Sequence, residues 1–303
     1  MMLKITLLFN IFPHFKSGFS FLTVGGVIMN KNILMVCVLS TLGFSQFASA
    51  ACSDVVPALR TAVASATALN NDGGYPLDFW VTAVDETGKV CAVVTNGVEG
   101  AAAGNTEWLG SRVISAQKAN TANAFSLDAY AISTANLYSA VQPGGSLFGL
   151  QESNPVDAEV AYDGNAKFFG KGTLDPMVGK RIGGVNVFGG GLAIYKGSKK
   201  VGAIGVSGDT SCADHVFAWN VREALGMEPN GNQSGAFGQG VGITTFNLDG
   251  SGAVQTNLVG AIQGDEMVIK SGKTASYWDA WAHPACPNTT GLNGKTSKAV
   301  LFF

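Results

Sequence analysis

The sequence is short of charge. Only 13% of its 303 residues are Asp, Glu, Lys or Arg, and 19 basic side chains against 21 acidic ones give a formal net charge of −2. That balance excludes the cationic footprint of a nucleic-acid-binding surface. Histidine is scarce, with three in the whole chain. The cysteines form no Cys-x-x-Cys pair, which argues against a zinc knuckle or a thioredoxin-type site, and no Cys-x-x-Cys-His, which excludes covalent c-type haem. The glycine-rich run Gly189-Gly190-Gly191 lacks the Gly-x-Gly-x-x-Gly register of a dinucleotide cradle. Phosphate-loop, zinc-protease and nucleophile-elbow motifs are missing too, so no catalytic set is marked.

What is present is apolar bulk and glycine. Hydrophobic residues make up 47%, enough to fill a core and to exclude wholesale disorder. The 40 glycines are about 13% of the chain, against an ordinary usage of about 7%.

The N-terminus reads as an address. In residues 29–50, Lys31 supplies a positive start, Ile33 to Phe44 an apolar stretch, and Ala48-Ser49-Ala50 a small-residue cleavage pattern. The apolar run is interrupted by Ser45 and Gln46 before it reaches membrane-spanning length. Translation is expected to begin at Met29, with residues 1–28 an over-extended start. Ser49-Ala50-Ala51 before Cys52 lacks the aliphatic residue of a lipidation signal. Cutting after Ala50 leaves 253 residues, 16 basic against 21 acidic, and a charge of −5. The remaining chain has no expected membrane span and is placed in the periplasm or outside the cell. Its four cysteines, Cys52, Cys91, Cys212 and Cys286, allow two disulfides in three connectivities, of which Cys52–Cys91 with Cys212–Cys286 is preferred.

Periodicity then sets out the elements. Val55, Leu59, Ala62, Val63, Ala66 and Leu69 recur at helical spacing over 53–70, with Ser53 or Asp54 as the cap and Pro57 in the first turn. Residues 79–84 and 89–94 read as an antiparallel hairpin closed by Asp85-Glu86-Thr87-Gly88. A helix over Glu107–Phe125 puts Ser111, Ser115, Lys118 and Ala122 on one side, and a second helical piece is expected over Leu127–Tyr138. Residues 146–180 are loop-rich, with Phe168, Phe169 and Met177 as anchors. Residues 185–196 and 201–208 form another hairpin, whose small residues let a helix or a ligand come close. A helix over Asp209–Leu225 stops at Gly226. The expected fold is α+β, an antiparallel sheet flanked by helices over 51–226. Residues 227–303 are expected to form an extension strapped to that core, with short strands within 241–248, 253–262 and 266–269 and aromatic anchors at Tyr277, Trp278 and Trp281.

Several of these stretches carry a likeness. DETGKVCAVV, SRVISAQKANTANAF and FGGGLAIYKGSKKVGAIGVSGDTSCADHVFAW together resemble the GlcG/HbpS-like haem-binding family (DUF336), which includes the corrinoid-binding C-terminal module of PduO-type proteins. The likeness runs from about Ser53 to Leu225 and implies a profilin-like core and self-association into a homo-oligomer. The sequence departs from the family pattern at Thr95-Asn96-Gly97, in the length of 146–180, at His215 and in the extension beyond 226.

The resemblance implies haem as cofactor, with a corrinoid as the alternative tetrapyrrole. The candidate binding residues are Ser111, Lys118, Asp214 and His215, and His215 is the candidate metal ligand. The bland alternative for His215 is a helix-start histidine bonded to backbone or solvent, and for Lys118 a salt bridge or exposure. Asp85 and Asp214 are weighed as structural, closing a turn and accepting helix N-terminal N–H groups. His283 is read as surface or packing, with ligation the lesser alternative. Trp80, Trp108 and Trp219 offer flat faces, with core packing the plainer role. The expected function is non-covalent tetrapyrrole binding for sequestration, transport or sensing. An enzyme or accessory for a small oxidised metabolite, and a structural or protein-binding envelope component, are the competing readings.

Overall fold

The run Phe79 to Val84 is apolar except for one threonine, so a strand made from it must be covered on both faces. In the computed structural model this strand, β1 (Trp80–Asp85), is buried along its whole length at the middle of a sheet. The structure describes residues 50–69, 74–100, 108, 110–128, 130–229, 234–235, 264–269, 282–287 and 300–302. The leader read over 29–50 except Ala50, the strands read within 241–248 and 253–262, and the aromatic residues at 277, 278 and 281 lie outside them.

α1 (Ala50–Leu69) precedes β1. β1 turns into β2 (Val90–Thr95) through a loop that Asp85 closes as expected: Oδ1 accepts from the N–H of Thr87 at 2.8 Å and of Lys89 at 3.0 Å. Gly88 takes φ +78° there, a conformation that penalises any side chain. α2 (Ser111–Phe125), the short β3 (Tyr130–Ala131), the single-turn α3 (Ala158–Ala161) and β4 (Lys171–Gly172) follow. A hairpin of β5 (Gly191–Lys196) and β6 (Lys199–Ser207) leads into α4 (Ser211–Leu225). The sheet order is β4-β2-β1-β6-β5, antiparallel at every pairing. α1 and α4 cover one face and α2 the other, the expected α+β architecture.

Alternation along β1 divides the two cores. Val81 and Ala83 face α1 and α4, whereas Trp80 and Val84 face α2. Two bulges modify the pattern. Ala83 pairs with Ala92 and Val84 with Val90, so Cys91 is an extra residue and shares its face with Ala92. Val201 is the extra residue between Ile194–Gly202 and Tyr195–Lys200. The first bulge aims Cys91 at α1, where it bonds Cys52; the second disulfide joins Cys212 to Cys286. This is the preferred connectivity of the three.

The small residues of β6 admit a helix, not a ligand. A Cβ on Gly205 would lie 2.0 Å from the carbonyl oxygen of Ser115 and 2.4 Å from the nitrogen of Ala119, because α2 rests on the strand backbone.

Several expectations change. α1 starts three residues early, which puts Pro57 inside the helix; at its other end Leu69, expected on the apolar side, is 55% exposed. Asp209 and Thr210 lie outside α4; Thr210 is its cap, accepting from the N–H of Ala213 at 3.2 Å, and left-handed Gly226 ends it. α2 likewise begins at Ser111 rather than at 107.

The helix expected over Leu127–Tyr138 does not form. Ser126 Oγ accepts from the N–H of Ile132 at 3.2 Å and donates to its carbonyl at 3.1 Å. Asn136 Oδ1 accepts from the N–H and hydroxyl of Ser133. These side chains offer the backbone partners that a helix ladder would otherwise supply. The result is β3 and two short 3₁₀ turns at Ala135–Leu137 and Ser139–Val141.

In the long connection Met177 is fully buried and Phe169 lies under the Arg112 guanidinium, 3.7 Å from ring centroid to carbon, whereas Phe168 is exposed. Arg112 also pairs with buried Asp175, holding this connection to α2.

Beyond Gly226, β7 (Ser234–Gly235) runs parallel to β3, and β8 (Met267–Ile269) parallel to β9 (Val300–Phe302). Arg222 of α4 pairs with Asp265 just before β8, both side chains fully buried. Among the described residues no helix is long and apolar enough to cross a membrane.

Candidate functional site

The cavity begins where α2 and α4 meet the open end of β6. It encloses about 620 Å³, an ordinary size for a small-molecule site. Ser111, Ile114 and Lys118 of α2 form one side, and Ser207 to Ser211 with Asp214 form another. Tyr75, Trp108, Tyr138 and Phe188 supply aromatic walls, with the Tyr75 and Trp108 rings edge-to-face at 6.1 Å. His283 to Pro287 close the remaining side.

Two of the expected polar residues meet at its base. Lys118 Nζ donates to Asp214 at 2.7 Å and to the carbonyl of Val206 at 3.0 Å. Both side chains are almost fully buried, so the ammonium is paired rather than exposed. Burial pushes Lys118 down and Asp214 up to about 6, with their mutual attraction opposing both shifts. Asp214 also accepts from the N–H of Asp209 at 3.0 Å. Asp209 in turn receives the N–H groups of Tyr75 and Leu77, which holds the approach to β1 against the cavity. Ser111, buried, donates from Oγ to the carbonyl of Trp108 at 2.7 Å.

His215 is not among the lining residues. Neighbouring positions on a helix differ by about 100°, so when Asp214 faces the cavity His215 turns away from it. His215 is fully buried, with its ring 6.2 Å from that of Trp219. Trp80 and Trp219 are core residues, while Trp108 is 43% exposed at the cavity.

Sequence reasoning left His283 outside the site as surface or packing, whereas the structure buries it in the cavity wall. Its Nδ1 lies 2.7 Å from the Pro284 carbonyl, an acceptor only, so Nδ1 carries the hydrogen and Nε2 the lone pair. Nε2 accepts a long bond, 3.4 Å, from the N–H of Gly189. Burial drives the imidazole down to about 4. His283 and the two cysteines Cys212 and Cys286 lie together, but the sulfurs are joined as a disulfide and are not thiolate ligands.

These shifts have opposite consequences for stability. His283 is depressed in the folded chain, so its contribution is complete above about pH 6.5 and lost as pH falls towards 4. Asp214 is raised, so the folded chain holds a proton between about pH 4 and 6 that the unfolded chain has lost, and stability gains as pH falls through that window. The parent is expected to show a shallow profile there. A His283→Gln variant should gain stability between pH 6 and 4, measured by urea unfolding; identical slopes for the two proteins would contradict it.

A family model described as "Haem degrading protein HbpS-like" matches residues 53–222, more than half of the chain. The chain belongs to the HbpS-like family. Among solved structures, PduOC in complex with heme is 22% identical, with 58% of this chain and 94% of that chain covered and a TM-score of 0.37. Klebsiella pneumoniae protein ORFY is 23% identical over 58% of this chain and 89% of its own, also with a TM-score of 0.37. A double mutant of Streptomyces reticuli HbpS is 15% identical over 56% of this chain and 85% of its own, at a TM-score of 0.34. No match was found among the curated proteins. The HbpS-like region contains Lys118 and Asp214, whereas the wall carrying His283 lies beyond it.

Proposed function

We propose that this HbpS-like protein binds haem or a related tetrapyrrole non-covalently in the cavity, for sequestration, transport or sensing outside the cytoplasm. The observation that carries the reading is the 620 Å³ cavity itself, aromatic on its walls and ionic at its base. A planar macrocycle needs flat apolar surfaces, and Tyr75, Trp108, Tyr138 and Phe188 present them. Acidic side groups need donors. Lys118 has three N–H groups, two of them directed at Asp214 and Val206, which leaves one for a ligand carboxylate. The Ser111 oxygen, also in the lining, keeps lone pairs that can accept from a ligand donor. The donor set therefore fits a haem or a corrinoid, and the group would bring a metal centre and a strong visible absorption. Export agrees with two disulfides, which persist in oxidising compartments. Self-association belongs to the same proposal.

Titration of the apo-protein with ferric haem tests it. A saturable Soret shift is expected, with affinity reduced about tenfold in Trp108→Ala, as for loss of an aromatic anchor. No saturable shift in the parent would sink the reading. Because the family description names haem degradation, the loaded protein is then given ascorbate: a retained Soret band supports holding, and progressive bleaching would reassign the function to breakdown.

A further inference from the structure

The cavity is closed by a segment that the family match does not include. Residues 282–287 are held from three directions. Cys286 is bonded to Cys212 at the start of α4, and its Sγ accepts from the Cys212 N–H at 3.1 Å. The Ser139 hydroxyl donates to the Ala282 carbonyl at 2.6 Å, and His283 forms a bridge with Ile269. His283 is thereby fixed on both sides along the backbone.

Its ring is fixed as well. The Nδ1–H bond to the Pro284 carbonyl sets the tautomer and orientation, the same kind of outer bond that orients histidines bound to metals. The Tyr138 ring packs against it with centroids 5.3 Å apart. Nε2 is left with the lone pair, and the bond it would surrender on turning to a metal is the long one from Gly189. His283 is the only described histidine among the cavity-lining residues, and His215 lies outside them.

Building on the tetrapyrrole-binding reading, we propose that His283, delivered to the cavity by the Cys212–Cys286 disulfide, ligates the metal of the bound macrocycle through Nε2. The family domain then supplies the aromatic walls and the ionic base, and the C-terminal segment supplies the ligand to the metal.

Ferric haem titrations of three proteins, followed by absorption and electron paramagnetic resonance, decide it. The parent is expected to give the spectrum of nitrogen-ligated iron. His283→Ala should lose that signature and bind about tenfold more weakly or worse, and added imidazole should restore the parent spectrum by occupying the vacated position. Imidazole rescue also shows that the cavity has survived the substitution. The double variant Cys212→Ser, Cys286→Ser should resemble His283→Ala. A parent that does not bind haem overturns both this assignment and the function on which it rests. A parent that binds, beside a His283→Ala protein with an unchanged spectrum or one that imidazole does not restore, overturns the His283 assignment alone. A double variant that keeps the nitrogen-ligated spectrum removes the disulfide's part in delivering His283.

Discussion

Lys118→Met should cost the protein about 3–5 kcal/mol of stability at pH 7.5, the range for removing one partner of a buried ion pair. Lys118 and Asp214 are almost completely out of water, and the substitution leaves the carboxylate with a single backbone N–H from Asp209. The loss should shrink at pH 5, because Asp214, already raised to about 6 by burial, takes up a proton once its cation is gone. Lys118→Met combined with Asp214→Leu should recover most of the stability, since neither charge then has to be desolvated. Urea unfolding at both pH values measures all of this. A double variant no more stable than the single one would show that the pair is not the source of the loss.

The second large effect is expected on α4's other buried ion. Arg222 has a fully buried side chain, pairs with Asp265, donates to the Ala193 carbonyl at 3.2 Å and lies over the Trp219 ring at 4.6 Å. Asp265→Ala should also lower stability by about 3–5 kcal/mol. Here acid gives no relief, because a guanidinium does not lose its proton in a protein. The loss should therefore stay nearly constant from pH 8 to pH 5, where the Lys118→Met loss changes. Asp265 belongs to the chain after Gly226, so the same variant should expose that segment to proteolysis sooner than the sheet. Equal proteolysis of parent and variant would show that Arg222 does not anchor it.

Much of the fold was legible because it depends on local pattern. The two hairpins, the helices around residues 60, 118 and 218, and the role of Asp85 follow from spacing and turn chemistry alone. The piece after Phe125 was not, because Ser126, Ser133 and Asn136 bond to the backbone, and hydrophobic spacing carries no sign of such competition. The site divided in the same way. Ser111, Lys118 and Asp214 reach the cavity, while His215, one residue from Asp214, faces the interior. Position in a helix distinguishes the two by direction, which a list of candidate side chains does not. His283 required a tertiary link. Its signal was the preferred pairing of Cys286 with Cys212, which carries a histidine three residues away to the end of α4 that bears Asp214.

The extra residue at Cys91 has a consequence for how this sheet tolerates length changes. On the turn side of the bulge the inward and outward assignments of β2 are inverted relative to a regular strand counted back from Val94. Losing one residue from the turn and closing the bulge would leave the pairings from Ala92 onward intact, but Cys91 would then oppose Val84 and face α2, with Val90 turned towards α1. The disulfide to α1 thus rests on a parity that a single deletion reverses. Cys52 and Cys91 can meet only while β2 keeps one residue more than its neighbour.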